Sequence, residues 1–276
     1  MKSLRVLARV GVLLMLSGSA LAQSDGRPIF QRAMAQLESH DIDAAVASFR
    51  EFLSVSPNDP AANYNLGLCY YQREEYERAI PALRNAIRTK PDFTDAYLYL
   101  GNSLDYLHKP DLAIAAYKKA LEYEPTNARV YEEMGVSLDQ QKKYEEAAQA
   151  LQKAADFDKA GFTNFRALAR AYYNSGNFPL AIPAYKQAIA LEPSNATNHL
   201  YLAYSLVKSR RFMESIAAFN AVIALRPTDA YAINGLGGAY AEMGNLAMAK
   251  KQQAVLAGLN KDLAVKLQQK IDAAKR

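Results

Sequence analysis

The side chains that most often carry protein chemistry are few in this sequence. Its histidines are His40, His108 and His199, and its one cysteine is Cys69. The sequence has no His-x-x-x-His or Cys-x-x-Cys spacing, so it predicts no zinc site. Because Cys69 is the only cysteine, no intramolecular disulfide can form. We interpret Cys69 as a small buried residue on a helix, and the alternative is a disulfide between two chains.

Motifs for nucleophilic and acid–base catalysis are incomplete. Residues 101–103 (Gly-Asn-Ser) and 135–137 (Gly-Val-Ser) begin like a nucleophile elbow but lack its second glycine and its strand. Adjacent carboxylates on a helix point away from one another and do not form an acid–base pair. Three such pairs, interpreted as ordinary helix-surface residues, are Glu74-Glu75, Glu132-Glu133 and Glu145-Glu146. The sequence therefore predicts a protein that is not an enzyme and that has no cofactor.

Two arginines have a spacing that suits binding. Arg166 and Arg170 are four residues apart, so on a helix both reach one side and could hold one carboxylate-bearing segment. The alternative is local pairing of the two arginines with acidic residues of the preceding helix pair. The acidic candidates for that pairing are Glu132, Glu133 and Asp139.

The elements that must position these side chains repeat along the chain. Prolines fall at 57, 91, 125, 193 and 227, so the successive differences are 34, 34, 68 and 34. Small residues keep the same step at 33, 67, 101, 135, 169, 203 and 237, and large residues at 49, 83, 117, 151, 185 and 219. Small side chains let two helices approach closely, and large side chains fill the grooves between them. A period of 34 residues is typical of helix–turn–helix repeats.

In these columns the sequence resembles the tetratricopeptide repeat (TPR) family, over nearly all of the chain after residue 25. The resemblance implies an all-α fold: a superhelical solenoid of about seven helix–turn–helix repeats plus a C-terminal capping helix. The expected repeats are residues 26–59, 60–93, 94–127, 128–161, 162–195, 196–229 and 230–261, the last being degenerate, and the capping helix is 262–276. Gln253 departs from the pattern, because a large apolar residue is expected there.

The repeat junctions and the tail complete this interpretation. Four junctions place a proline before an Asn or Asp that can cap the next helix, whereas the junction at 157–161 lacks the proline and is predicted to be the most deformable. In the tail, Leu263, Leu267 and Ile271 form an apolar stripe with lysines beside it. We interpret the tail as a helix that covers the last repeat, and the alternative is an amphipathic helix that lies on a membrane.

In TPR proteins the first helix of each repeat lines a concave groove in which peptides bind. This resemblance assigns the groove residues of this chain position by position, and Tyr and Arg are the types enriched at binding hot spots. The predicted peptide-binding residues are Tyr64, Tyr71, Tyr99, Asn102, Asp105, Tyr106, Arg166, Arg170, Tyr173, Asn174, Tyr201 and Tyr204. The Lys and Asn arrangement with which some family members hold a C-terminal Asp is not reproduced.

Residues 1–22 differ from the rest and predict a secretory signal peptide. Three basic residues precede an apolar run at 10–16, and the small residues Ala20 and Ala22 suit a signal peptidase. Cleavage after Ala22 removes the three basic residues, so the formal charge falls from +5 to +2. The expected location is the periplasm of a bacterium or the exterior, and the alternative is an uncleaved N-terminal anchor.

The function expected from these features is a non-enzymatic, exported scaffold that binds an extended segment of another protein, in the assembly of cell-envelope complexes. The sequence shows no basic stripe for a nucleic-acid partner, and no integral membrane span is expected in the mature chain. Two alternatives remain open. One is a structural protein that associates with itself as a homo-oligomer, and the other is a binder of a glycan or another small ligand.

Overall fold

A computed structural model describes residues 26–159 and 164–274, and these residues form α-helices without any strand. The chain divides into two compact units, which meet in sequence at Pro125 and Thr126. Unit 1 contains α1 (Arg27–Glu38), α2 (Ile42–Val55), α3 (Pro60–Gln72), α4 (Tyr76–Thr89), α5 (Thr94–Tyr106) and α6 (Pro110–Tyr123). Unit 2 contains α7 (Ala128–Gln140), α8 (Tyr144–Phe157), α9 (Phe165–Asn174), α10 (Phe178–Leu191), α11 (Ala196–Lys208), α12 (Phe212–Leu225), α13 (Ala230–Glu242), α14 (Leu246–Leu259) and α15 (Lys261–Ala273). The predicted all-α fold is confirmed.

The helices form pairs, and each unit is built by stacking pairs. The two helices of each pair pack together, and the second helix of a pair also contacts the first helix of the next pair in the same unit. First helices of neighbouring pairs touch as well: α3 contacts α5, and α11 contacts α9 and α13. The surface that these first helices carry is called the first-helix face below. It is the counterpart of the groove that the family resemblance predicts.

Close contact within each pair depends on the small-residue column. A Cβ atom built on Gly67 would lie 2.7 Å from Leu83, and one on Gly135 would lie 2.6 Å from Leu151, which are separations that real atoms do not adopt. Gly101 faces Tyr117 in the same way, at 2.4 Å. The glycines therefore allow the helix backbones to approach closely enough for one large side chain to fill the space between them.

The turn inside each pair has a recurrent left-handed residue. Five non-glycine residues have positive φ there, namely His40, Glu74, His108, Lys142 and Arg210, and two turns have Gly176 or Gly244 instead. Because Glu74 lies in this turn and Glu75 is the N-cap residue of α4, the interpretation of this pair as helix-surface residues is wrong.

The helix caps agree with the junction pattern. Asp59, Asn127, Asn195 and Asp229 each accept a hydrogen bond from the first turn of the next helix. Phe93 stands at the equivalent position before α5 and makes no such cap, because a phenyl ring has no oxygen to accept the hydrogen bond; the ring is buried instead. The prediction for the junction at 157–161 stays a prediction, since residues 160–163 lie outside the described part of the chain.

The tail helix α15 closes unit 2. Ala264, Leu267 and Ile271 are buried against α13 and α14. Leu267 reaches the small Gly237, where an added Cβ would lie 2.4 Å from its side chain. In earlier repeats the residue 16 positions after the glycine fills this space, as Leu83 does for Gly67. The corresponding residue here is Gln253, and Leu267 of the tail fills the space instead. The apolar stripe of the tail is therefore used within the chain, and the predicted capping helix is confirmed.

Two further expectations concern membranes. The predicted signal peptide at 1–22 lies outside the described residues. Within 26–159 and 164–274, none of the helices combines the length and the apolar character needed to cross a bilayer.

Candidate functional site

The same aromatic triad is found in both units, at positions three repeats apart. In unit 1 the rings of Tyr71 and Tyr76 have centroids 5.6 Å apart, and those of Tyr71 and Tyr99 are 5.2 Å apart. In unit 2 the residues 102 positions later repeat this geometry. Tyr173 lies 5.4 Å from Phe178 and 5.1 Å from Tyr201, again edge to face. The short turn between paired helices positions the first two rings, and the next first helix supplies the third.

Unit 1 extends its triad with three more rings. Tyr106 stacks in parallel on Tyr76 at 4.5 Å, and Tyr64 lies 6.0 Å from Tyr99. Phe93 lies 4.7 Å from Tyr64 and completes the group. The unit 1 aromatic cluster consists of Tyr64, Tyr71, Tyr76, Phe93, Tyr99 and Tyr106. Burial, together with the nearby Tyr106 and Glu74, raises the pKa of Tyr76 to about 12, so its hydroxyl stays a hydrogen-bond donor at neutral pH.

The predicted residues of unit 1 differ in exposure. Tyr106 is 49% exposed, whereas Tyr99 is 3% and Asn102 is 7% exposed. The Tyr117 hydroxyl lies 2.7 Å from Asn102 Oδ1 and 2.9 Å from Asp105 Oδ2, and it donates to this pair of acceptors. Tyr99 and Asn102 therefore support the face from below, while Tyr106 is available at its surface.

Unit 2 extends its triad with deeper rings. Tyr201 stacks on the buried Tyr185 at 6.1 Å, and Tyr204 packs edge-on against Phe219 at 5.5 Å. The Tyr204 hydroxyl donates to the main-chain carbonyl of Tyr231 at 3.2 Å. Burial raises the pKa of Tyr204 to about 12, with Asp229 adding to the rise, and burial also raises the pKa of Tyr185. Both phenols therefore stay neutral at physiological pH.

The two predicted arginines have different surroundings. Arg170 Nη2 donates to Asp139 Oδ2, so the alternative of local pairing is confirmed for Arg170. The Asp139 side chain is nearly buried, whereas that of Arg170 is about half exposed. Within the described part of the chain, Arg166 makes no ion pair, and it lines a surface depression together with Arg226. Asn174, the last residue of α9, is exposed.

The sequence patterns did not predict four residues that take part in these sites. Tyr76 and Phe178 begin second helices, so a search of first helices overlooks them, although both are aromatic at the same repeat position. Phe93 stands at a repeat position where four other junctions have a capping Asn or Asp. An aromatic residue at this position could have indicated a different role from capping. Arg226 directly follows the second helix α12, far from Arg166 in sequence, and only the fold brings the two residues to one depression.

The described residues offer little for metal or thiol chemistry. Among 26–159 and 164–274, no three His, Cys, Asp or Glu side chains lie close enough to hold a metal ion. Cys69 is fully buried, and this burial raises the pKa of its thiol to about 12. Its interpretation as a small packing residue on a helix is confirmed.

Stacked helix pairs with small residues at their contacts define an α-solenoid repeat protein. A sequence model described as tetratricopeptide repeat matches residues 30–92, 98–161, 166–230 and 200–257, and the chain belongs to this family. Members of the family bind protein partners and generally act as non-enzymatic interaction modules.

Solved structures of TPR proteins resemble this fold. YrrB, described as a TPR protein with an unusual peptide-binding site, is 23% identical with a TM-score of 0.62, over 68% of this chain and 98% of its own. The C-terminal part of a TPR repeat-containing protein of Cytophaga hutchinsonii is 16% identical with a TM-score of 0.62, over 86% of this chain and 98% of the solved part. For pilF of Pseudomonas aeruginosa the identity is 24% and the TM-score 0.52, over 76% and 96% of the two chains. No curated protein matches the chain.

Proposed function

We propose that this protein is an exported scaffold that binds an extended segment of another protein along its first-helix faces. The observation that carries the proposal is the aromatic triad, which occurs in both units with nearly the same ring distances. Tyrosines give large contact areas and hydrogen-bonding hydroxyls at a small cost in conformational entropy, which is why they are common at binding hot spots.

Exposure and family membership support this assignment. Tyr106 of unit 1 and Tyr201 of unit 2 keep 49% and 36% of their surfaces exposed while their rings rest on neighbouring aromatic rings. Such anchored side chains lose little freedom when a partner covers them. The similar fold of YrrB, described as having a peptide-binding site, is in keeping with a peptide ligand.

The location and process are part of the proposal. The basic, apolar and small-residue pattern of residues 1–22 favours export. For an exported scaffold without catalytic groups in its sequence, we propose a role in assembling or organising cell-envelope complexes.

The test is site-specific photo-crosslinking in an envelope extract. A photoreactive phenylalanine analogue replaces Tyr106 in one variant and Tyr201 in another, and it replaces the exposed Leu112 of α6 in the control. We expect the first two variants to crosslink to the same partner protein, identified by mass spectrometry, and the control not to crosslink to it.

The matched binding variants are Tyr106→Ala and Tyr201→Ala, with Leu112→Ala as control. We expect each tyrosine variant to weaken capture of the crosslinked partner by about tenfold, in line with the cost of truncating a hot-spot residue. Equal capture by all variants would show that binding lies on another surface, and the proposal would then be wrong.

Self-association is a second candidate, favoured by one specific observation. The last residues of four second helices in unit 2 are apolar and exposed, namely Phe157, Leu191, Leu225 and Leu259. Exposed apolar side chains at repeated positions favour contacts with another copy. A mass from light scattering that rises with concentration, and that Leu191→Ser together with Leu225→Ser abolishes, would support this function.

A further inference from the structure

A surface depression lies at the junction of α10 and α11 in unit 2. It is open to solvent and has a volume of about 630 Å³. Residues 191–197, Arg166 and Arg226 line it. Both arginine side chains are exposed, so their guanidinium groups can meet a partner from solution.

The positive charge in this depression is only weakly compensated. Glu192 is the one acidic residue that lines it, and Glu192 accepts a hydrogen bond from Asn195 Nδ2 at 2.9 Å rather than pairing with either arginine. Arg226 Nη1 lies 4.0 Å from Asp229 Oδ2, at the limit of an ion pair, and the other oxygen of Asp229 caps α13. Both guanidinium groups therefore keep donors for an incoming anion.

Two main-chain N–H groups at the start of helix α11 are already occupied. Asn195 Oδ1 already accepts from the main-chain nitrogens of Thr197, at 3.1 Å, and Asn198, at 3.4 Å. These amide groups are satisfied by the cap. Binding of an anion here would consequently depend on the two arginine side chains.

The equivalent junction of unit 1, between α4 and α5, has different side chains. The residues three repeats earlier are Tyr64 for Arg166, Lys90 for Glu192, Phe93 for Asn195 and Glu124 for Arg226. The rings of Tyr64 and Phe93 pack at a tilt of 37° with centroids 4.7 Å apart, and Lys90 Nζ lies 4.9 Å from the centre of the Phe93 ring. Aromatic packing therefore fills the junction in unit 1. Its charged positions carry the opposite signs to those of unit 2.

We propose that the depression at the α10–α11 junction binds a carboxylate group of an acidic protein segment through Arg166 and Arg226. A guanidinium group presents a planar set of N–H donors that matches a carboxylate. The assignment of a protein segment as the source of this carboxylate rests on the proposed function, whereas the site itself can be tested without a partner.

The experiment is an NMR titration of the whole protein labelled with ¹⁵N-arginine. The probe is succinate, and sodium chloride at equal ionic strength is the blank. We expect saturable shifts of the Nε–H signals of Arg166 and Arg226 but not of Arg211, which is held by Glu214 at 2.7 Å. The variants Arg166→Gln and Arg226→Gln should each weaken succinate binding by about fivefold or more, and Arg211→Gln should leave it unchanged.

Three results would overturn the inference: no saturable shift at the two arginines, equal shifts at Arg211, or unchanged affinity in both glutamine variants. Inorganic phosphate at the same ionic strength is the second probe. Tighter binding of phosphate than of succinate would overturn the carboxylate assignment.

This test is separate from the test of the proposed function. If photo-crosslinking at Tyr106 and Tyr201 fails while the titration succeeds, the carboxylate site stands and the peptide-binding function does not. If crosslinking succeeds and the titration fails, the partner binds the tyrosines without a carboxylate at this junction.

Discussion

In unit 1 Tyr64 and Tyr106 contact rings of the aromatic triad, whereas in unit 2 the residues three repeats later are Arg166 and Lys208. The ring distances inside the two triads differ by only 0.1–0.2 Å. The repeat geometry thus preserves the packing of the triad, while the neighbouring positions give one face an aromatic border and the other a cationic border. The faces of the two units therefore differ chemically.

The largest expected difference in stability between the units comes from the burial of the third triad ring, which is Tyr99 in unit 1 and Tyr201 in unit 2. Tyr99 is 3% exposed, whereas Tyr201 is 36% exposed. We expect Tyr99→Ala to lower the free energy of unfolding by about 3–5 kcal/mol, as for buried aromatic residues, and Tyr201→Ala by about 1–2 kcal/mol. Urea denaturation followed by circular dichroism measures both values. Equal losses would contradict the different roles given to these two tyrosines.

The helix contact beneath each triad provides the second comparison. Gly101 in unit 1 corresponds to Ala203 in unit 2, and a Cβ on Gly101 would lie 2.4 Å from the Tyr117 ring. We expect Gly101→Ala to destabilise the protein by about 1–3 kcal/mol through overpacking, although alanine favours helices. The control is Gly258→Ala, because nothing lies within 4 Å of the added Cβ there. The control should gain up to about 1 kcal/mol, and a similar gain for Gly101→Ala would show that the contact is not tight.

The buried hydroxyl of Tyr117 separates the units further. Tyr117 donates to Asn102 and Asp105, whereas the equivalent residue of unit 2 is Phe219. We expect Tyr117→Phe to lower the free energy of unfolding by about 1–2 kcal/mol, because the buried Asn102 oxygen loses its donor. Thermal unfolding with calorimetry gives the loss. An unchanged melting temperature would mean that water replaces the hydroxyl.

The turns before the second triad residue should give the smallest effect. Glu74 adopts φ of +60° in unit 1, and Gly176 adopts φ of +78° in unit 2. We expect Glu74→Gly to stabilise the protein by about 0.5–1 kcal/mol, since glycine adopts this conformation without steric cost. The reverse change, Gly176→Glu, should destabilise by a similar amount. Urea denaturation of the pair checks both signs, and the same sign for both would exclude backbone strain as the cause.

Much of the fold could be predicted because repetition makes the sequence report the same contact many times. The 34-residue steps of Gly67, Gly101 and Gly135 predicted close helix contacts, and the added-Cβ distances to their partners confirm them. The Asn and Asp residues after the junction prolines also predicted caps correctly, because a cap depends only on neighbours two or three residues away.

The candidate site was harder to predict, because its contacts join single residues that are far apart in sequence. Arg170 and Asp139 are 31 residues apart, and several carboxylates were possible partners for the arginine. Arg166 and Arg226 are 60 residues apart and lie in adjacent repeats. The column of Arg166 is mostly uncharged, and the column of Arg226 is charged but changes sign along the chain (Lys90, Glu124, Asp158, Glu192 and Arg226), so neither column marks the pair. The rotamers and the stacking of the repeats decide which side chains contact one another. The 34-residue period gives no information on either.

The contact between Leu267 and Gly237 affects whether copies of this protein can stack end to end. A repeat array can in principle be lengthened at its end, since each new pair of helices packs on the one before it. Here the place of the next pair is taken by α15, and Leu267 occupies the space beside Gly237. A second copy could stack on this end only by displacing that helix from a buried apolar cluster. Helix α15 therefore prevents a second copy from continuing the stack of helix pairs at this end of unit 2.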